Sequence, residues 1–193
     1  MSVAAVAIPE REKTSLPSGR LGMWWFLAGE LVIFGGLIAC YVLYRLKHAD
    51  WAEHAAHVLW QAGAVNTIVL LTSSLTIVLA FRSVDEGNYK KAANQMALTI
   101  AIGFLFVVIK TFEYTHEIQA GITPKTNLFW SFYFLMTGLH ALHVVAGLVA
   151  IAVVMIGVRK GQNLQRVEYV GLYWHLVDVI WIFLFPLLYI ASG

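Results

Sequence analysis

The chain has 193 residues, of which 60% are hydrophobic and only 12% are charged, and its formal net charge is +2. A soluble globular domain carries roughly 25% charged residues, so this composition excludes an ordinary water-soluble protein and predicts one domain with lipid as its main solvent. The small positive charge comes without a basic stripe, and we expect no nucleic-acid partner.

Five apolar stretches are long enough to cross a bilayer as helices, which takes about 20 residues each. They span residues 21–44, 62–81, 92–114, 128–158 and 167–190. The pattern predicts an all-α integral membrane bundle of five transmembrane helices over residues 21–193. Residues 1–20 are predicted to form a cytoplasmic tail, because their apolar part is too short and wrongly placed for a cleavable signal.

Lysine and arginine are distributed unevenly between the two ends of the predicted helices. Nine of them lie in the tail and in the loops after the second and fourth stretches, whereas the other two loops hold Arg45, Lys47 and Lys125. Because short cytoplasmic loops carry an excess of these residues, the N-terminus is predicted to be cytoplasmic and the C-terminus outside.

Five ionisable residues fall deep inside the predicted helices. They are Glu30, His140, His143, His175 and Asp178. With a rise of 1.5 Å per residue, all five lie at similar depth in the cytoplasmic half of the bilayer. Since charge at membrane depth is costly and marks functional positions, we predict that helices one, four and five bring them together as one site.

Several kinds of chemistry are compatible with this site. A bis-histidine haem could join His140 or His143 to His175, but it would leave both carboxylates without a role. A proton-carrying cluster would use imidazoles that titrate near neutral pH. A structural hydrogen-bond cluster, joining three helices or holding a lipid headgroup, is the interpretation that the residues alone favour.

A second group lies toward the outer end of the third stretch and comprises Lys110, Glu113, His116 and Glu117. Lys110 and Glu113 are three residues apart and can form a structural ion pair, with Glu117 near the surface. Glu113 and His116 supply one Glu-x-x-His motif where a carboxylate-bridged di-metal oxidase needs two, which disfavours that class.

A third set of polar residues lies in the loop between the first two stretches. Its members are His48, Asp50, Glu53, His54 and His57. Histidines three apart could share a metal, but a solvated amphipathic segment is the simpler interpretation.

Small residues and one proline predict local features of the bundle. Glycines at positions 29, 35, 36, 138 and 147 would allow close helix contacts. Pro186 predicts a local bend in the last helix.

Short motifs occur in every predicted helix. Gly22 opens the run GMWWFLAGE, Asn66 opens NTIVLLTSS, and the third helix ends with Glu113 and Tyr114. The fourth contains TGLHALHV from Thr137, and the fifth contains YWHLVDVIW from Tyr173. In this order they resemble subunit III of the haem-copper respiratory oxidases, over nearly the whole chain.

The resemblance implies an accessory, non-catalytic subunit of a cytochrome c or quinol oxidase complex in a bacterial inner membrane. Such a subunit has no haem or metal of its own and binds phospholipid. It docks on subunit I, which holds the haem and copper, and it adjoins subunit II. It supports proton uptake and the stability of the catalytic subunit while dioxygen is reduced to water.

The resemblance also implies a role for the predicted site. Glu30, His140, His143, His175 and Asp178 would form the lipid-cleft and proton-supporting face. Many family members have seven helices, and the five predicted here correspond to the last five. Two alternatives stay open: an accessory subunit of a nitric oxide reductase, and an autonomous membrane redox or proton-translocating protein.

Overall fold

The computed structural model describes residues 18–47, 51 and 58–190. These residues form five long helices and no strand: α1 Ser18–Arg45, α2 Trp60–Asp85, α3 Tyr89–Gln119, α4 Leu128–Arg159 and α5 Gln165–Phe185, which continues into a π-helical turn, Pro186–Ile190. All five are long and apolar enough to cross a membrane, which confirms the predicted fold class. Most of the predicted cytoplasmic tail, residues 1–17, lies outside the described residues.

Asparagine side chains begin two of the helices. The Asn88 side chain accepts a hydrogen bond of 3.1 Å from the backbone N–H of Lys91, and that of Asn127 accepts one of 2.9 Å from Trp130. Each bond satisfies a backbone donor that the first helical turn leaves without a partner. Gly87 follows the end of α2 with a φ of 73°, a conformation that suits glycine, and it lets α3 turn back along α2.

The proline in the last helix changes the helix type. Pro186 has no backbone N–H to continue the α-helical ladder. From this residue the chain widens into the π-helical turn, which carries the buried side chains of Leu188 and Tyr189. The bend predicted at Pro186 stays a prediction, and the change in helix type sets the direction of Tyr189.

A tryptophan fills the contact between α3, α4 and α5. Trp174 is fully buried, and a Cβ atom added to Gly103 or Gly147 would lie 2.9 or 2.8 Å from its ring. These two glycines therefore make room for the indole, as predicted for Gly147. The glycines of α1 behave differently, because a Cβ on Gly29, Gly35 or Gly36 would meet no atom within 4 Å. The close contacts predicted for them do not form among the described residues.

Helix α1 lies at the edge of the bundle, along α5 and part of α4. Its outer face is apolar, and Trp25 and Val32 are 80% and 75% exposed. Such a face cannot be covered by water without a large free-energy cost, so lipid or another protein must cover it.

Candidate functional site

Glu30 on α1 and His143 on α4 form a pair at membrane depth. Oε2 of Glu30 lies 2.9 Å from Nε2 of His143. The other ring nitrogen, Nδ1, donates to the carbonyl oxygen of Leu139 at 2.8 Å, so it holds one proton. At this distance a carboxylate oxygen and an imidazole nitrogen are close enough to share a proton.

An aromatic ring and a tyrosine hydroxyl adjoin this pair. Phe34 places its ring edge-on to the imidazole of His143, with 5.3 Å between ring centroids. The hydroxyl of Tyr173 donates to the backbone oxygen of His143 at 3.0 Å. The side chains of Glu30 and His143 keep 13% and 16% of their surface accessible, so the pair lies near the outside of the bundle.

His140 lies one turn before His143 but faces the centre of the bundle. It is fully buried, with its ring 5.5 Å from Phe106 and 5.1 Å from Trp181, measured between centroids. Within the described residues, neither of its nitrogens has a hydrogen-bond partner. The three-residue spacing thus does not bring His140 and His143 into one contact.

His175 and Asp178 lie one turn apart on α5, and both approach Ser74 on α2. Nδ1 of His175 shares a hydrogen bond of 2.7 Å with the hydroxyl of Ser74 on α2. Asp178 is buried and lies near the same Ser74 hydroxyl, although its carboxylate oxygens meet no hydrogen-bond geometry with the residues described. The structure therefore joins Glu30 to His143, brings His175 and Asp178 to the same serine, and places His140 apart from both pairs.

The group on α3 forms a dense buried network. Nζ of Lys110 lies 3.1 Å from Oε2 of Glu113 and donates to the hydroxyl of Tyr133 at 3.0 Å. Lys110 also donates to the hydroxyl of Tyr189. Both tyrosines in turn donate to Oε1 of Glu113. The ammonium lies 4.7 Å from the ring centroid of Tyr133, so an aromatic face also contacts the charge.

Sequence reasoning included one residue that stays outside this network and missed two members of it. His116 is exposed and takes no part in the network. Glu117, predicted to lie near the membrane surface, is buried within the bundle. Tyr133 on α4 and Tyr189 in the π-helical turn were not predicted as members. The available signal was general: a tyrosine at a buried helical position needs a partner for its hydroxyl.

We also looked for a metal site among the residues that the structure describes. Among the described residues, no three histidine, cysteine or carboxylate side chains are placed to hold a metal ion. The candidate patch in the first outer loop, His48 to His57, lies outside the described residues.

An apolar cavity lies between α1, α4 and α5. Its volume is about 470 Å³, and it is lined by Met23, Phe26, Ala146, Ala150, Val154, Arg166, Tyr169, Val170 and Tyr173. Arg166 is its cationic residue and belongs to the first turn of α5, so the cavity runs from a helix end along the membrane-spanning faces. A shape that is apolar along its length and cationic at one end suits an anionic amphiphile.

Comparisons with known proteins identify a family and several proteins to which this chain is similar. Residues 15–193 match the family model for cytochrome c oxidase subunit III. The chain is similar to cytochrome c oxidase subunit 3 of Alkalihalophilus pseudofirmus, with 34% identity over 191 residues, 95% of this chain and 92% of that protein.

Two further relatives carry other names. The chain is similar to a probable quinol oxidase subunit 3 of Staphylococcus haemolyticus, at 33% identity over 90% of this chain and 89% of that protein. It is also similar to a heme-copper oxidase subunit I+III of Aeropyrum pernix, at 30% identity over 89% of this chain and 22% of that protein.

Proposed function

Because this chain belongs to the cytochrome c oxidase subunit III family, we propose that it assembles with a subunit I that holds haem and copper. It then serves as the non-redox, accessory subunit of a proton-pumping terminal oxidase that reduces dioxygen to water. The observation that carries this proposal is the family match over nearly the whole chain. The similarity to a protein named heme-copper oxidase subunit I+III supports subunit I as the partner. Subunit II completes the core complex, in the plasma membrane of a bacterium, with the N-terminus of this chain in the cytoplasm.

The Glu30–His143 pair supports the proton-related part of the proposal. Its geometry places a carboxylate oxygen 2.9 Å from an imidazole nitrogen, within reach for sharing a proton. Because both side chains remain partly accessible, a proton on this pair can exchange with a partner or with water at the surface of the bundle. In the assembled oxidase the pair supports proton uptake and protects the catalytic subunit during turnover.

The cavity between α1, α4 and α5 supports a role in phospholipid binding. Its walls match acyl chains, and Arg166 with the hydroxyl of Tyr169 can bind a phosphate-bearing headgroup. A phospholipid held there would fill the space between the peripheral helix α1 and the rest of the bundle.

Affinity purification through a tag on this chain tests the assembly. We expect haem and copper to co-purify with the tagged chain in a fixed ratio, in a separate polypeptide. The isolated chain, separated from its partners in denaturant, should retain neither. Absence of any haem-bearing partner, or stoichiometric haem bound covalently or tightly to this chain, would overturn the proposal.

A further inference from the structure

His175 lies halfway along the membrane-spanning part of α5. It is the eleventh residue of a helix that begins at Gln165, about 15 Å from that end at 1.5 Å per residue, in a hydrocarbon layer about 30 Å thick. Its Nδ1 is bonded to Ser74. The ring lines two surface grooves, one between α2 and α5 of about 170 Å³ and one between α1 and α5 of about 420 Å³.

The groove between α1 and α5 is otherwise apolar. Its walls are Trp24, Leu27, Ala28, Leu31, Leu172, Leu176 and Val179. No hydrogen bond joins Nε2 of His175 to another described residue, and His175 is half-buried beside this groove. Acyl chains offer nothing to such a nitrogen, and a polar group left without a partner at this depth carries a free-energy cost.

Three threonines on the exposed surface of the bundle find partners within their own helices. The hydroxyls of Thr72, Thr111 and Thr115 donate to backbone carbonyl oxygens four residues earlier, at 2.7 or 2.8 Å. Glu30 and His143 lie in contact with each other, 2.9 Å apart. His175 differs because its Nε2 has no hydrogen-bond partner among the described residues, although the side chain lines an otherwise apolar groove.

We propose that the groove around His175 is the docking surface for a transmembrane helix of the haem-bearing subunit I, and that this helix forms a hydrogen bond with Nε2. This inference rests on the proposed function, since it takes subunit I as the partner. Interhelical contacts in membranes combine close packing with such polar bonds. Trp24, 57% exposed on the rim, supplies the large aromatic surface that is enriched in protein interfaces.

Photo-crosslinking in the assembled complex tests which face is covered, and by what. The apolar photoreactive residue p-benzoyl-phenylalanine is introduced in place of Val179, in the groove, or of Val149, which is 59% exposed on α4. The two positions are both valines, so they form a matched pair. We expect the probe at position 179 to crosslink to subunit I and the probe at position 149 to crosslink to lipid.

A pair of histidine variants tests the hydrogen bond itself. His175→Leu should dissociate from subunit I about threefold to thirtyfold faster in detergent, as the loss of one interhelical bond implies, whereas His175→Gln should retain most of the association. His116→Leu is the matched control, because His116 is exposed on α3 and lies far from this groove along the chain. It should dissociate like the wild type.

These experiments distinguish failure of the proposed docking surface from failure of the proposed function. Crosslinks from position 179 to lipid alone, or to a second copy of this chain, overturn the docking surface while haem still co-purifies. The same holds if position 149 crosslinks to subunit I in place of position 179, or if His175→Leu dissociates at the wild-type rate. If no haem-bearing subunit co-purifies at all, the proposed function fails first.

Discussion

The hydroxyl of Tyr189 donates a hydrogen bond of 2.8 Å to Oε1 of Glu113. This bond joins the π-helical turn that follows α5 to the C-terminal part of α3. Glu113 accepts from Tyr133 as well and forms the ion pair with Lys110, so three helices meet at one carboxylate. The ion pair has side-chain exposures of 3% and 0%, and its charges are satisfied by protein groups alone. This arrangement fixes the register of α3, α4 and α5 near one membrane surface.

Removing one charge of this network should destabilise the bundle strongly. Lys110→Met leaves the Glu113 carboxylate buried without its cation, a change that costs about 3–5 kcal/mol for buried pairs. The free energy of unfolding, measured by titration of the complex with dodecylsulfate, should fall by that amount. Adding Glu113→Gln to this variant should recover part of the loss, because no buried charge then remains in the pair.

The exposed pair of Arg82 and Glu86 provides the control. Its atoms lie 2.9 Å apart but are largely solvated, and Arg82→Met should cost less than about 1 kcal/mol. Equal effects of Lys110→Met and Arg82→Met would mean that the buried network contributes nothing specific to stability.

The five helices were predictable from sequence because apolar stretches of membrane length are a strong signal. The pairing of Glu30 with His143 was consistent with their similar predicted depth. The separation of His140 from His143 was not predictable, since residues three apart differ by about 60° around the helix. That angle is enough for one ring to face Trp181 in the core while the other faces α1.

The tyrosines of the network escaped prediction for a different reason. Tyr189 reaches Lys110 and Glu113 from a π-helical turn, and the widening that begins at Pro186 changes the direction of every later side chain. Sequence patterns with a period of 3.6 residues cannot place such residues. Likewise, the sequence could not show whether the glycines of α1 lie on an exposed helix face or in a helix–helix contact, because small residues occur on both kinds of surface.

Alanine at the glycines that contact Trp174 should weaken the bundle. In Gly103→Ala the new Cβ would lie 2.7 Å from Cδ2 of Leu148, and in Gly147→Ala 2.8 Å from the Trp174 ring. Overpacking of this kind costs about 1–3 kcal/mol. Thermal denaturation of the complex should show a lower midpoint for both. Gly36→Ala, which meets no atom within 4 Å, is the control and should leave the midpoint unchanged or higher.

Phospholipid retention should depend on Arg166. Because Arg166 is the cationic residue of the cavity between α1, α4 and α5, Arg166→Gln should reduce the anionic phospholipid that remains after purification, measured by extraction and mass spectrometry. Lys160→Gln removes an exposed charge after α4, outside the cavity lining, and should leave the lipid content unchanged. Equal lipid loss in both variants would point to general surface charge instead of a built site.

The carboxyl group of Glu30 should affect how long the oxidase stays active during turnover more than it affects assembly of the complex. Glu30→Gln keeps the shape of the side chain and can still hydrogen-bond Nε2 of His143, but it removes the group that can give up a proton. We expect a normal ratio of this chain to haem, a near-normal initial rate of oxygen consumption, and a several-fold faster loss of activity with the number of turnovers.

The same measurement on two further variants separates proton exchange from structure. His143→Gln leaves Glu30 beside an amide and should resemble Glu30→Gln, because either change removes one of the two groups that can exchange a proton in this contact. Glu86→Gln alters an exposed carboxylate after α2 and should inactivate at the wild-type rate. If Glu30→Gln abolished oxygen consumption from the first turnover, Glu30 would take part in the catalytic step itself. An inactivation rate equal to that of Glu86→Gln would instead leave the pair with a purely structural role.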